Sequence, residues 1–276
     1  MMFNAEFLGK SLKVGCYFLT GTGRCGTMLI SKILDLGKNT RCYHEHSIKY
    51  DKMKSSYLSN DYKSLYEEID TVINPLVSEL NQKKMSYGES SGLIYLAFEE
   101  LYRRYGKKAR FLLLTRHPEG FVQSALARGF FDPDHPYPLE HVRARPSSEI
   151  GSRWDEISPF EKCLWYWYFV NSMIYNLFLK MPEKLWKIQP IETLDIISCK
   201  NLYKFMAIEG FEDRKKEIQE LLSVRINASP GLGDNSSLNP WSVQMSLGDI
   251  STWEPDQKQI YEKWTTHLRK LLYPKD

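Results

Sequence analysis

The sequence has too few cysteines, too irregularly spaced, to build a covalent or zinc-held scaffold. There are five, Cys16, Cys25, Cys42, Cys163 and Cys199. An odd count without a C-x-x-C pair or metal-ligand spacing implies neither a disulfide framework nor a zinc site, and no metal is assigned. Cys25 is expected to be a small loop residue rather than a redox-sensitive thiol. A long hydrophobic run is also missing, so no membrane span and no membrane partner are predicted. Residues 1–20 lack the basic start, apolar core and small-residue cleavage site of a secretory signal, and a soluble, cytoplasmic protein is expected. One-sided charge is absent as well. Thirty-seven Lys and Arg against thirty-four Asp and Glu leave a net charge of +3, which suits a small anionic ligand and is too slight to argue for nucleic acid.

With 276 residues, 42% hydrophobic and 13% aromatic, the chain can bury a substantial core. It shows no internal repeat and no inter-domain linker, so a single domain over 1–276 is the simplest expectation. The chain is organised around residues 16–36. Tyr17, Phe18 and Leu19 form a short apolar run suited to a strand buried on both faces. The loop Gly21-Thr22-Gly23-Arg24-Cys25-Gly26-Thr27 follows, and then Met28, Leu29, Ile33, Leu34 and Leu36 recur at helical spacing. A strand, glycine loop and helix start of this kind offers backbone N–H groups and the positive end of the helix dipole to an anion, most simply phosphate.

That loop, too, is defined by what it lacks. In the G-x-x-x-x-G-K-[ST] form the lysine reaches the β/γ-phosphates and the following hydroxyl binds magnesium. Gly21 and Gly26 stand correctly, but Thr27 replaces the lysine and Met28 the hydroxyl. A magnesium-dependent triphosphate hydrolase is disfavoured, and the positive charge comes instead from Arg24. An ordinary glycine-rich turn remains the alternative for this loop taken alone.

Further along, residues 40–43 read as a short extended stretch delivering His44, Glu45 and His46. Residues 61–83 read as helical, broken or kinked at Asn74-Pro75. A strand over 85–88 ends at Glu89 and Ser90, a helix fits 93–105, and Gly106 closes it. RFLLLT at 110–115 is a second buried strand, ending at Arg116-His117-Pro118 and entering a helix over 119–127. Residues 129–155 are read as a substrate-side loop or lid. A long aromatic helix fits 159–181, packed on the core, and a strand fits 185–188. Helices fit 198–208, 213–224 and 257–272, and a Gly/Ser/Asn/Pro loop fits 227–239. Alternating strands and helices indicate an α/β fold with a central parallel sheet, whose ligands gather at the carboxyl ends of the strands.

GTGRCGT after the first strand and RHPEGFVQSALARG after a later one together resemble the sulfotransferases that use 3′-phosphoadenosine 5′-phosphosulfate (PAPS). The resemblance implies a sulfotransferase-like α/β fold with PAPS as co-substrate and 3′,5′-ADP as product. It implies that Thr22, Gly23, Arg24, Cys25, Gly26, Thr27 and Met28 hold the 5′-phosphosulfate. Arg116 and Ser124, eight positions apart, would hold the 3′-phosphate. The layout RCGTMLISKILDLGKNTRCYHEH is similar to the tyrosylprotein and carbohydrate branches more than to the cytosolic phenol branch, and places Glu45 on the catalytic glutamate as general base. Arg24 with the loop amides would stabilise charge on the leaving group. His44 and His46 are rival bases. If the segment is extended they point one way and Glu45 the other, so the roles exclude each other. The late R-K-G-x-x-G loop of the cytosolic branch is not matched. Ser229-Pro230-Gly231-Leu232-Gly233-Asp234 is all that stands there, and 227–250 is assigned as a nucleotide-closing loop.

On the acceptor side, Glu89 and Ser90 are candidates, with His135, Tyr137 and Arg143 from a loop that also carries His141, Arg145 and Trp154. The reaction implied is sulfuryl transfer to a hydroxyl or amine of a small polar acceptor such as a sugar, an alkaloid or another secondary metabolite. A homodimer is left open. The alternative is a magnesium-dependent nucleotide or nucleoside kinase, or a non-catalytic phosphate-binding protein, on the same sheet.

Overall fold

The computed structural model describes residues 14–135, 139, 141–224 and 247–274. β1 (Cys16–Thr20) leads through the glycine loop into α1 (Thr27–Asp35), and β2 (Thr40–His44) follows. Three helices, α2 (Tyr50–Ser59), α3 (Lys63–Glu68) and α4 (Asn74–Gln82), precede β3 (Ser86–Ser90). Next come α5 (Phe98–Tyr105), β4 (Ala109–Thr115), α6 (Pro118–Leu126), the short α7 (Glu149–Ser152) and the long α8 (Pro159–Phe178). β5 (Trp186–Pro190), α9 (Ile196–Met206), α10 (Phe211–Ser223) and α11 (Pro255–Leu272) complete the order.

The strands form one sheet in the order β2-β3-β1-β4-β5, and every pairing is parallel. A parallel sheet needs cover on both faces, and the period-2 alternation of β1 and β4 supplies it. Phe18, Phe111 and Leu113 join the core under α5, α8 and α11, while Tyr17, Leu19, Leu112 and Leu114 join a second core under α1, α9 and α10. Each such side chain, fully buried, is worth about 1.5–3 kcal/mol relative to exposure. In α8, Trp165, Tyr166, Trp167 and Phe178 are buried. Its aromatic crowd is core.

Connections from the neighbouring strands β1 and β4 leave in opposite directions, one towards β2 and the other towards β5. Such a reversal opens a crevice at the carboxyl ends of the two strands, the usual ligand position in open α/β sheets. The glycine loop after β1 and Arg116 after β4 flank that crevice.

Three features differ from the sequence expectation. α2 has a weak apolar face, burying only Met53, Ser56 and Tyr57, and its periodicity gives little sign of it. The segment divides into α3 and α4 at Asn74-Pro75 as expected, but the join is not a simple kink. Ile69–Ile73 forms a π-helical turn, because proline at 75 has no N–H to donate and the register widens just ahead of it. β3 runs two residues further than expected, so Glu89 and Ser90 lie within the strand. Within the assigned closing loop, 227–246 lie outside the described residues, and so does the 227–239 loop. Among the described residues, no helix is long and apolar enough to cross a membrane.

Gly21 closes β1 against β4 so tightly that a Cβ there would lie 2.4 Å from both the Leu114 carbonyl oxygen and Cys25 Sγ. Backbone cannot swing aside as a side-chain tip can. Gly21→Ala is therefore expected to lower stability by about 1–3 kcal/mol, measured as a fall in denaturation midpoint at unchanged m-value.

Candidate active site

The loop is built from left-handed backbone. Gly23 (φ 70°), Arg24 (φ 55°) and Gly26 (φ 85°) all have positive φ, a conformation glycine adopts freely and arginine does not. α1 starts at Gly26 without a side-chain cap and with no acidic residue in its first turn. An anion at this helix start meets the dipole unopposed by a nearby carboxylate of the helix itself. Thr22 is buried and spends its hydroxyl on the Gly23 carbonyl at 2.9 Å. Cys25 is fully buried, and burial pushes its thiol up to about 12. Of the residues assigned to the phosphosulfate, Cys25 therefore turns its sulfur into the core beneath Gly21 and has only its backbone to offer.

Arg24 reaches across the crevice. Its Nε donates to Ser124 Oγ at 3.0 Å, and Arg116 Nη1 donates to the Arg24 carbonyl at 3.1 Å. The sequence reading set these residues in two separate phosphate subsites, and the fold joins them in one cationic cluster. Arg116 lies along α6, where a Cβ on Gly120 would come within 3.1 Å of its Nε. Its carbonyl accepts from Trp167 Nε1 at 2.8 Å, which ties the strand end to α8. Burial, followed by the charges of Arg128 and Arg116, lowers Arg24 to about 10. A cation pressed by other cations favours an anionic ligand, whose arrival would reverse that repulsion.

Arg128 is a member of this cluster that sequence reading passed over. Its Nη1 is buried and has no hydrogen-bond partner among the described residues. The signal that could have found it is spacing. Arg128 stands four residues after Ser124, in the turn just past the end of α6.

The carboxylate side of the site hangs on a turn. β2 ends at His44, and Glu45 takes φ 50°, so the chain does not continue extended. The premise that His44 and Glu45 must face opposite ways fails for that reason. His44 Nε2 lies 3.3 Å from Thr27 Oγ1 at the start of α1. Glu45 is exposed, and its Oε1 accepts weakly from the Gly92 amide at 3.4 Å. Gly92 lies beside the loop, since a Cβ there would be 3.5 Å from the Gly23 nitrogen. His44 and Glu45 thus both border the glycine loop. His46 does not, being stacked on Tyr43 with ring centroids 4.7 Å apart.

Glu89 and Ser90 are buried and occupied. Glu89 Oε1 accepts from the amides of His46 (2.9 Å) and Ser47 (3.3 Å), and Oε2 accepts from the Tyr87 hydroxyl at 2.6 Å. Ser90 Oγ donates to the Thr27 carbonyl, and the Ser90 carbonyl accepts from the Glu45 amide at 2.9 Å. The acceptor-contact role expected of both is not what these hydrogen bonds describe. They hold the turn that carries Glu45, because the extra strand length turns their side chains into the fold. His135 is buried, and Arg143 reaches Asp155 at 3.4 Å and lies over the Trp154 ring. Tyr137 lies outside the described residues.

No protein-family model matches the chain, and a comparison with curated proteins finds no match. The fold is similar to solved sulfotransferases. The sulfotransferase domain of the Synechococcus PCC 7002 olefin synthase matches at TM-score 0.44 and 13% identity, covering 93% of this chain and 89% of that one. The sulfotransferase domain from the curacin biosynthetic pathway matches at TM-score 0.47 and 14% identity, over 92% and 91%. A sulfotransferase from Alicyclobacillus acidocaldarius matches at TM-score 0.46 and 13% identity, over 93% and 95%. At these TM-scores the likeness carries no argument, and the functional reading rests on the geometry of the site.

Removing the Glu89 carboxylate strips acceptors from two backbone amides and a buried hydroxyl. Glu89→Ala is expected to cost about 2–4 kcal/mol, a fall of about 5–15 °C in melting temperature. Amide exchange at His46 and Ser47 should accelerate with it. Glu89→Gln, whose amide oxygen still accepts from both backbone groups, should recover most of the loss.

Proposed function

We propose that this protein moves the sulfuryl group of PAPS to a hydroxyl or amine of a small polar acceptor. The observation that carries the reading is the Arg24–Ser124 hydrogen bond, with Arg116 gripping the Arg24 carbonyl. It makes one polyanion site out of two sequence motifs, at the crevice between β1 and β4. A nucleotide with phosphates on both the 3′ and the 5′ oxygen of its ribose fits such a site better than one with a single phosphate.

In this reading the acceptor oxygen or nitrogen forms a bond to sulfur as the bond from sulfur to the 5′-phosphate oxygen breaks. Glu45 takes the acceptor's proton, and 3′,5′-ADP leaves. Negative charge growing on the departing phosphate is met by the start of α1 and the arginine cluster, an oxyanion-hole type of stabilisation. His44, held on the Thr27 hydroxyl, remains the rival base. A small-molecule acceptor, a cytoplasmic setting and a role in secondary metabolism belong to the same proposal. The kinase alternative is weakened by the side chains at the positions of the missing lysine and magnesium hydroxyl. Thr27 faces His44 instead, and Met28 has no oxygen to give.

Three experiments test this. Glu45→Gln should bind 3′,5′-ADP within about twofold of wild type while turnover falls about 10²-fold or more; wild-type-like turnover would remove the base assignment. Arg116→Ala and Ser124→Ala should each weaken 3′,5′-ADP, the arginine by about 10–100-fold as a lost charge-assisted contact. Unchanged affinity in Arg116→Ala would sink the whole reading. In thermal-shift measurements, 3′,5′-ADP without magnesium should raise the melting temperature and ATP with magnesium should not. The reverse pattern favours the kinase.

A further inference from the structure

Besides Arg128 Nη1, the His141 ring near the site carries a buried polar atom without a hydrogen-bond partner among the described residues. His141 is only 8% exposed. Its Nδ1 is paired with the Tyr50 hydroxyl at 2.7 Å, while its Nε2 is buried and has no hydrogen-bond partner among the described residues. Burial, with a contribution from Lys54, lowers the imidazole to about 3, so the ring is neutral at physiological pH. One ring nitrogen of a neutral imidazole carries the proton and the other a lone pair. Whichever Nε2 holds, leaving it unmatched out of water is unfavourable, and a group of this kind calls for an explanation.

The position of the ring supplies one. Its centroid is 3.9 Å from that of Phe130, and the Tyr166 ring stacks on it at 5.1 Å. Phe130 Cζ in turn lies 3.9 Å from where a Cβ on Gly23 would sit, and Gly23 neighbours Gly92, whose amide donates to Glu45. His141, Phe130 and Tyr166 thus form a continuous, buried aromatic cluster. It runs from the lid segment to the edge of the glycine loop on the side where Glu45 stands. The end of this cluster at Gly23 is where an acceptor presenting its nucleophile to Glu45 would come nearest to it.

We propose that His141 is a specificity-determining residue. Through Nε2 it hydrogen-bonds a polar group of the acceptor other than the one that receives the sulfuryl group. Tyr50 positions it by fixing Nδ1, and hence the tautomer. The acceptors favoured are those with two hydrogen-bonding groups on one compact frame. This rests on the sulfuryl-transfer reading above. A site built to pair a polar group rejects the analogue lacking it, because the protein's own partner is then left buried and unmatched.

The test uses matched probes differing by one hydroxyl, phenol against resorcinol and cyclohexanol against cis-1,3-cyclohexanediol, with labelled PAPS and the full chain. Wild type should prefer the difunctional member of at least one pair by tenfold or more in kcat/KM. His141→Phe should bring that ratio close to one. Tyr50→Phe, which keeps the aromatic packing, should reduce it several-fold and serves if His141→Phe does not fold. A ratio that survives His141→Phe, or survives Tyr50→Phe where His141→Phe does not fold, overturns the proposal, and so does a wild-type enzyme without preference in either pair. No turnover of any of the four probes while 3′,5′-ADP still binds also overturns it. Failure of 3′,5′-ADP to bind strikes the sulfuryl-transfer reading instead.

Discussion

Arg24 is anchored at both its ends, and the geometry of the crevice depends on that. Its side chain reaches α6 through Ser124, while its carbonyl is gripped by Arg116 at the end of β4. The loop after β1 and the helix after β4 are thereby fastened together across the place where the two chain connections part. Without that tie, nothing in a parallel sheet requires neighbouring strand ends to present their loops to a common point. The cost is visible in the left-handed backbone at Arg24 and in the crowding of its guanidinium by Arg116 and Arg128. Strain and like-charge repulsion gathered on one residue at a strand end are what a site awaiting an anion looks like.

A second constraint sets the opposite wall. Glu89, buried in the middle of three parallel strands, would be a poor choice for that position if it did nothing. Three donors converge on it, and two of them are the amides directly after Glu45. The strand end at His44 is thus bent into a turn by a carboxylate one strand away, and that turn gives Glu45 its left-handed conformation. Two acidic residues with opposite fates share the neighbourhood. One is consumed by backbone amides, and the other, held by the first, stays exposed.

How far the sequence carried follows from what each feature depends on. β1 and β4 were legible because burial on both faces demands continuous apolar runs, and α6 because Pro118 marks its first turn. Arg116 and Ser124 are paired by the resemblance to the PAPS-using sulfotransferases, and their eight-residue separation, about two helical turns, is compatible with it. Their junction with Arg24 was not legible, because it depends on strand order, and nothing local says that β4 lies beside β1. The turn at Glu45 was illegible for a different reason. A positive φ at glutamate is disfavoured by the residue itself and is imposed by Glu89 at a distance of more than forty positions. Glu89 and Ser90 lie inside β3 because the strand runs two residues past its apolar pattern, and their hydrogen bonds to the turn at Glu45 and to α1 depend on strand order, which no local pattern shows.

Arginine rather than lysine in the loop has a consequence for the chemistry proposed. A lysine reaching the leaving oxygen could give up a proton as the phosphate departs. Arg24, even lowered to about 10, keeps its proton at neutral pH, and its Nε is committed to Ser124. It can offer fixed charge and its remaining N–H donors, but no proton to transfer. The departing group must then leave as an anion stabilised in place rather than as a protonated phosphate, and the only proton to be moved is the acceptor's own. That puts the whole proton transfer on the far wall, where Glu45 stands exposed and His44 is engaged with Thr27. A group already hydrogen-bonded to the loop is poorly placed to turn towards an incoming acceptor, so the fixed charge on one side of the crevice argues for the carboxylate on the other.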